Sequence, residues 1–110
     1  VQFGLDNFTL ILDNNRMQSD GASECILDMS DRYAAMLRAV GFETIEVDGH
    51  DVAALMKAFQ KERAAGIPRA VVARTVKGKG ISFMENNNDW HHNRLTEEQY
   101  QHAVAELGEA

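Results

Sequence analysis

Cysteine and proline are nearly absent: the chain has one of each in 110 residues. A lone Cys25 cannot close an internal disulfide, which excludes a disulfide-stapled scaffold and points to a reducing, cytosolic setting. With no base beside it and no CxxC partner, Cys25 is a poor nucleophile candidate, and no Cys/His pair stands at zinc-ligand spacing. No apolar run approaches the roughly 18 residues that a membrane span needs. Positive charge is also scarce. Eleven Lys and Arg face 17 Asp and Glu, for a net charge of -6. That argues against a grip on the nucleic-acid backbone and against a polybasic membrane patch. The opening VQFGLDN has neither the basic nor the apolar part of a secretory signal. Because it starts on Val, we expect a processed or incomplete piece of something longer.

What is present suits one small folded domain: 45% of the residues are apolar. Three short runs read as strands: residues 8–12, 44–47 and 70–76. The first is a continuous apolar run, expected to be buried on both faces. Helices fall between and after them. In 31–40, Tyr33, Met36, Leu37 and Val40 share one helical face, and Gly41 sits where a left-handed C-cap belongs. In 52–65, Asp51 is the expected N-cap, while Gly66 and Pro68 end the helix. In 97–107, Thr96 and Gln99 spell a capping box, with Leu95 and Tyr100 at the staple positions. His102 is expected on that helix's surface. Strands alternating with helices predict an α/β fold, a mainly parallel sheet with helices packed on it. Three strands leave two open edges, so the chain is expected to be part of a larger doubly wound sheet.

Ligands of such sheets bind at the carboxyl ends of the strands. Three polar loops leave those ends here: DNNRMQSDG, DGHD, and KGKG running on into ISFMENNNDWHHNRL. The first offers hard oxygen donors in Asp13, Asn14, Asn15, Gln18 and Asp20, suited to magnesium or calcium rather than zinc. Asp and Asn after a strand also simply make turns. KGKG could present backbone amides and a lysine to an anion, although it is not a Walker A loop. In DGHD, Asp51 caps a helix, Gly49 turns the chain, and His50 is read as incidental. In Trp90-His91-His92 the two rings point in different directions, so one of them is expected to face a site, as a phosphate donor or proton shuttle.

Taken together and in order, LDNNRMQSDG, GFETIEVDGHD, AVVARTVKGKGISFMENNNDWHH and LTEEQYQHAVAELGEA resemble the thiamine-diphosphate-binding domain of transketolases. The resemblance is strongest to the separate N-terminal subunit of two-subunit transketolases, and it covers nearly the whole chain. It implies thiamine diphosphate held through Mg2+. The family's cofactor motif begins with Gly-Asp-Gly and ends with Asn-Asn, here Asn14-Asn15. By that pattern the Asn15 side chain and the Met17 carbonyl are metal ligands. Cofactor contacts then fall on Asn15, Met17, Gln18, Lys77 and His92. The family's catalytic histidine falls on His91 or His92, where the usual following Pro is replaced by Leu95.

Gly-Asp-Gly itself occurs nowhere in the chain. Residues 1–110 are therefore expected to be the C-terminal half of a cofactor-binding domain, inactive alone. Its partners would be a complementary transketolase chain supplying Gly-Asp-Gly and the pyrimidine-binding domain, within an oligomer, and sugar phosphates as substrates. The reaction implied is transfer of a two-carbon ketol unit between sugar phosphates. The alternatives are a non-catalytic α/β interaction module, a piece of a related enzyme such as deoxyxylulose phosphate synthase, and a small phosphate-binding domain built on KGKG.

Overall fold

A computed structural model of the chain describes residues 1–19 and 21–108. Its centre is β5 (Arg69–Arg74), flanked on one side by β1 (Thr9–Asn14) and on the other by β4 (Glu43–Asp48), all parallel. The register is even, with Val71 opposite Ile11 and Ile45, and Arg74 opposite Asn14 and Asp48. The carboxyl ends of the three strands are thus level, and the three loops expected to converge leave from one edge of the sheet.

Burial follows strand alternation. Leu10, Leu12, Ala70 and Val72 pack with Ala34, Leu37 and Phe42 under α2 (Tyr33–Ala39). Arg69, Val71 and Ala73 point to the opposite face, where the Arg69 side chain reaches the end of α3 (Val52–Gln60). β5 is buried on both faces, as its β-branched run requires. β1 is not: Ile11 is 58% exposed, because α3 lies over β4 and leaves β1 uncovered. The expectation that the first strand is buried on both faces is corrected accordingly.

α2 closes with the expected left-handed glycine. Gly41 has φ 97° and donates to the Arg38 carbonyl at 2.9 Å, while Phe42 donates to Leu37 at 3.0 Å. These are the paired bonds of a Schellman cap. α3 starts as expected, with Asp51 accepting from the Ala54 N–H at 3.0 Å. It stops at Gln60 rather than at 65, for a reason that is distant in sequence. The fully buried Arg69 guanidinium donates to the carbonyls of Ala58 and Phe59, which the helix end leaves without partners, and to that of Glu62 just beyond it. Glu43 closes the arrangement, accepting from Arg69 at 2.9 and 3.0 Å and pairing with Lys61 at 2.8 Å. Held first by Lys61 and then by Arg69, its carboxyl sits below the ordinary carboxylate range.

Two small features have no sequence signal: a hairpin of β2 (Met17–Gln18) and β3 (Gly21–Ala22), and the single turn α1 (Ser23–Ile26). α4 (Glu97–Gly108) carries the full capping box, with Thr96 N–H to Gln99 Oε1 at 2.9 Å and Gln99 N–H to Thr96 Oγ1 at 3.2 Å. It docks on the loop after β5 rather than over the sheet. There Ser82 donates to Glu106 through both N–H and Oγ, and the Phe83 ring lies 5.6 Å from that of His102. That ring contact makes His102 a docking residue as well as a surface one, while its bond to Glu106 at 3.2 Å stays within α4. Among the described residues no helix is long and apolar enough to cross a membrane.

Candidate functional site

The loop after β1 is bent sharply at Arg16, a non-glycine residue at φ 59°. A bulky residue in the left-handed region costs about 1 kcal/mol and persists only where its surroundings impose it. Here the bend lets Asn15 Oδ1 accept the Met17 N–H at 2.8 Å, and the Arg16 carbonyl accepts from Ser23 N–H at 2.8 Å. The Asn15 side-chain oxygen is thereby fixed in direction and keeps its second lone pair. Two other predicted donors are used structurally. Asn14 is buried and donates from Nδ2 to the Ser30 carbonyl at 2.9 Å, and Asp13 accepts from Thr75 Oγ1. Asp20 lies outside the described residues.

The loop after β5 separates its two lysines. Gly78, at φ 73°, turns the chain so closely over Met84 that a Cβ there would strike the Met84 backbone. Lys79 is directed outward to Glu85, 3.9 Å away. Lys77 is half-buried on the other side, its carbonyl accepting from Asn86 N–H at 2.9 Å. KGKG is therefore a folded loop that presents one lysine inward.

The triple asparagine does three different things. Asn86 takes a left-handed turn at φ 53°. Asn87 accepts from Asp89 N–H at 3.0 Å and caps the short 3-10 turn Asn88–His91. Asn88 donates from Nδ2 to the Ser19 carbonyl at 3.1 Å, tying the β2–β3 hairpin to the histidine turn, while its buried Oδ1 has no partner among the described residues. Trp90 packs on Phe83 with ring centres 5.3 Å apart, so α4, through Phe83, also supports the histidine turn.

Between these loops lies a cleft of about 220 Å³ lined by Asn15, Met17, Gln18, Ser19, Lys77, Asn88 and His91. Five predicted site residues, taken from two loops that are far apart in sequence, thus share one concave surface. His92 does not line it; its ring stands edge-on to His91, with centroids 4.5 Å apart. Asn15 and Met17 also line a second cleft of about 340 Å³ on the other side of their loop, with Asp28 and Ser30 in its wall. The DGHD loop faces a third, of about 510 Å³, between the ends of β4 and β5.

The chemistry of the first cleft is one cation, one imidazole and several neutral oxygens. Among the described residues no three His, Cys, Asp or Glu side chains converge as they would at a preformed metal centre. The donors that do converge, an amide oxygen and backbone carbonyls, are of the hard type that Mg2+ accepts, but too few to fill its shell. Lys77 supplies the charge that a phosphate group needs. The residues present therefore fit part of a site for a metal-bound diphosphate. Asn88, bridging the two loops, is a site residue that sequence reasoning misses; the only hint is an amide directly before Asp-Trp-His-His.

A family model described as "Transketolase, thiamine diphosphate binding domain" matches residues 1–110. The chain is 35% identical to one of the subunits of the apulose-4-phosphate transketolase of Phocaeicola vulgatus, over 98% of its own length and 38% of that protein. It is 37% identical to the 6-deoxy-6-sulfo-D-fructose transketolase subunit SqwG of a Clostridium species, over 94% of its length and 38% of that protein. Its fold is similar to the crystal structure of transketolase from Campylobacter jejuni, with a TM-score of 0.84 and 28% identity over 96% of this chain and 16% of that one. The chain thus spans well under half the length of each of these relatives.

Proposed function

The chain belongs to the transketolase family, within its thiamine diphosphate binding domain, and from that premise we propose that its cleft is one half of the cofactor site of an assembled transketolase. The carrying observation is that Asn15, Met17, Gln18, Lys77 and His91 line a single cleft at the carboxyl edge of the sheet. In this reading residues 1–110 are the C-terminal half of the domain. A complementary segment supplies Gly-Asp-Gly, and a complementary chain the pyrimidine-binding domain. Two of the similar proteins are named as single subunits of their transketolases, which supports a partner chain. An exposed, unpaired Cys25 suits a reducing, cytoplasmic setting.

When bound, thiamine diphosphate supplies the reactive carbon for moving a two-carbon ketol unit between sugar phosphates. The residues of this chain bind and orient. Asn15 Oδ1 and the Met17 carbonyl would hold Mg2+, with the Asx turn between them fixing both in advance. Lys77 would balance diphosphate charge, and Gln18 would donate from its amide. His91, at the cleft wall, would donate to a phosphate oxygen or move a proton at a substrate hydroxyl. His92, outside the lining, would hold the His91 ring in place.

The test is titration of thiamine diphosphate into the assembled protein at several Mg2+ concentrations. Asn15→Ala should weaken binding at low Mg2+ and be partly rescued at high Mg2+, because metal and diphosphate bind as a unit. Met17→Leu, which keeps the carbonyl and nearly the volume, should match the parent. Parent-like binding by the Asn15 variant at low Mg2+ would leave the loop as a turn and move the non-catalytic module to the front.

A further inference from the structure

We infer that His50 is a positioning residue for Lys77, acting through the backbone of Val76. This rests on the cofactor reading above and deepens it. The observation is one hydrogen bond that bridges two loops. The Val76 N–H donates to His50 Nε2 at 2.8 Å, immediately before Lys77 enters the cleft.

The contact ends a short clamp that prolongs the sheet beyond its strands. Asp48 Oδ1 accepts the His50 N–H at 2.9 Å, which shapes the turn after β4. The Gly49 N–H donates to the Arg74 carbonyl at 2.7 Å. A Cβ on Gly49 would collide with the Thr75 side chain, so only glycine lets the turn lie this close. On the far side of β5, Thr75 donates to Asp13 through Oγ1 and to the Asn14 carbonyl through N–H at 3.4 Å. The segment leaving β5 is thus held from β4 by Gly49 and His50, and from β1 by Asp13 and Asn14. Those same β1 residues lead directly into Asn15. The clamp fixes Lys77 relative to Asn15, and with it the spacing of a cation to a metal-ligand oxygen.

The chemistry demands one tautomer. An Nε2 that accepts a backbone N–H carries no proton, so the imidazole is neutral with its proton on Nδ1. The charged neighbours around it are Glu46, Asp48, Arg74 and Lys79, which line the same cleft between β4 and β5. Glu46 is committed to Arg38 and Arg74, and Lys79 to Glu85. None of the hydrogen bonds at this turn replaces the acceptor that Val76 uses. An alanine at position 50 leaves the Val76 amide with water alone and frees the start of the lysine loop. A glutamine places an acceptor oxygen where Nε2 lies.

The experiment compares His50→Ala, His50→Gln and Lys77→Ala with the parent in the assembled protein, by two readouts. The first is hydrogen–deuterium exchange, without cofactor, of peptides spanning 75–79 and 97–107. The second is thiamine diphosphate affinity at fixed Mg2+. We expect faster exchange in 75–79 alone for His50→Ala, and an affinity loss of about three- to tenfold, the size of one hydrogen bond. His50→Gln should restore most of both, and Lys77→Ala should lose affinity without faster exchange. Parent-like exchange and affinity in His50→Ala would overturn the inference. So would a loss that glutamine does not restore and that spreads to 97–107, since that marks general loosening. If Lys77→Ala kept full affinity, the cofactor reading would fall, while the exchange result would still judge the His50–Val76 bond on its own.

Discussion

Asn15 and His91 are the residues on which the proposed chemistry rests most, and they are legible in the sequence to different degrees. Asn15 stands out because Asp and Asn closing an apolar run call for an explanation, and because the resemblance to transketolases implies a ligand there. The left-handed Arg16 that aims its oxygen cannot be read in advance, since arginine has no preference for that conformation. His50 reads as incidental because its partner lies 26 residues further on; no local spacing announces a contact of that range. At the histidine pair the structure separates two residues that the sequence cannot. His91 lines the cleft, and His92 packs on it from outside. Alanine at each should therefore act unequally in the assembled protein. His91→Ala should lower turnover by about 10²-fold if its imidazole moves a proton, with His92→Ala costing far less. Steady-state kinetics of the two variants check this, and equal small losses would make the pair structural.

Among the elements, those with local signals read correctly. The Thr96/Gln99 box, the Asp51 cap and the Gly41 terminus all depend on residues within one turn of each other, and all three form. The length of α3 escapes local reading because its end is set by Arg69, which arrives from the next strand. That arginine is fully buried and bonds Glu43, so the pair binds strand to helix. Breaking one member leaves the other without compensation. Glu43→Gln should therefore cost about 1.5 to 3 kcal/mol near neutral pH, measured by urea denaturation followed by circular dichroism. The pH sign follows from the lowered carboxyl. Lys61 and Arg69 favour the charged form of Glu43 in the folded state, so its contribution is full above the ordinary value of 4.5 and is lost as pH falls through the lower folded value. The parent should lose this stability on acidification, and the Gln variant, which has nothing there to titrate, should not. An equal acid dependence in both proteins would show that the pair is not what ties strand to helix.

On the scale of the whole molecule, this α/β fold is thin and open. It measures 52 × 32 × 19 Å, with a radius of gyration of 17.0 Å, where a compact domain of this length has about 13 Å. Phe3 is 82% exposed, and Ile11 on β1 and Val52 and Met56 on α3 are more than half exposed. Apolar surface of this extent belongs against other protein, and the outer edge of β1 has no partner strand among the described residues. The same geometry brings only a few hard oxygen donors to the cleft. Both observations support the reading of the chain as one half of a cofactor site. The direct measurement is calorimetric titration of thiamine diphosphate with Mg2+ into the chain alone, and into the chain joined by complementary transketolase segments that carry Gly-Asp-Gly and the pyrimidine-binding domain. The account predicts no binding heat from the lone chain and saturable binding in the assembly, weakened there by Asn15→Ala and Lys77→Ala. Binding by the lone chain as tight as in the assembly, or assembled binding indifferent to both substitutions, would contradict it.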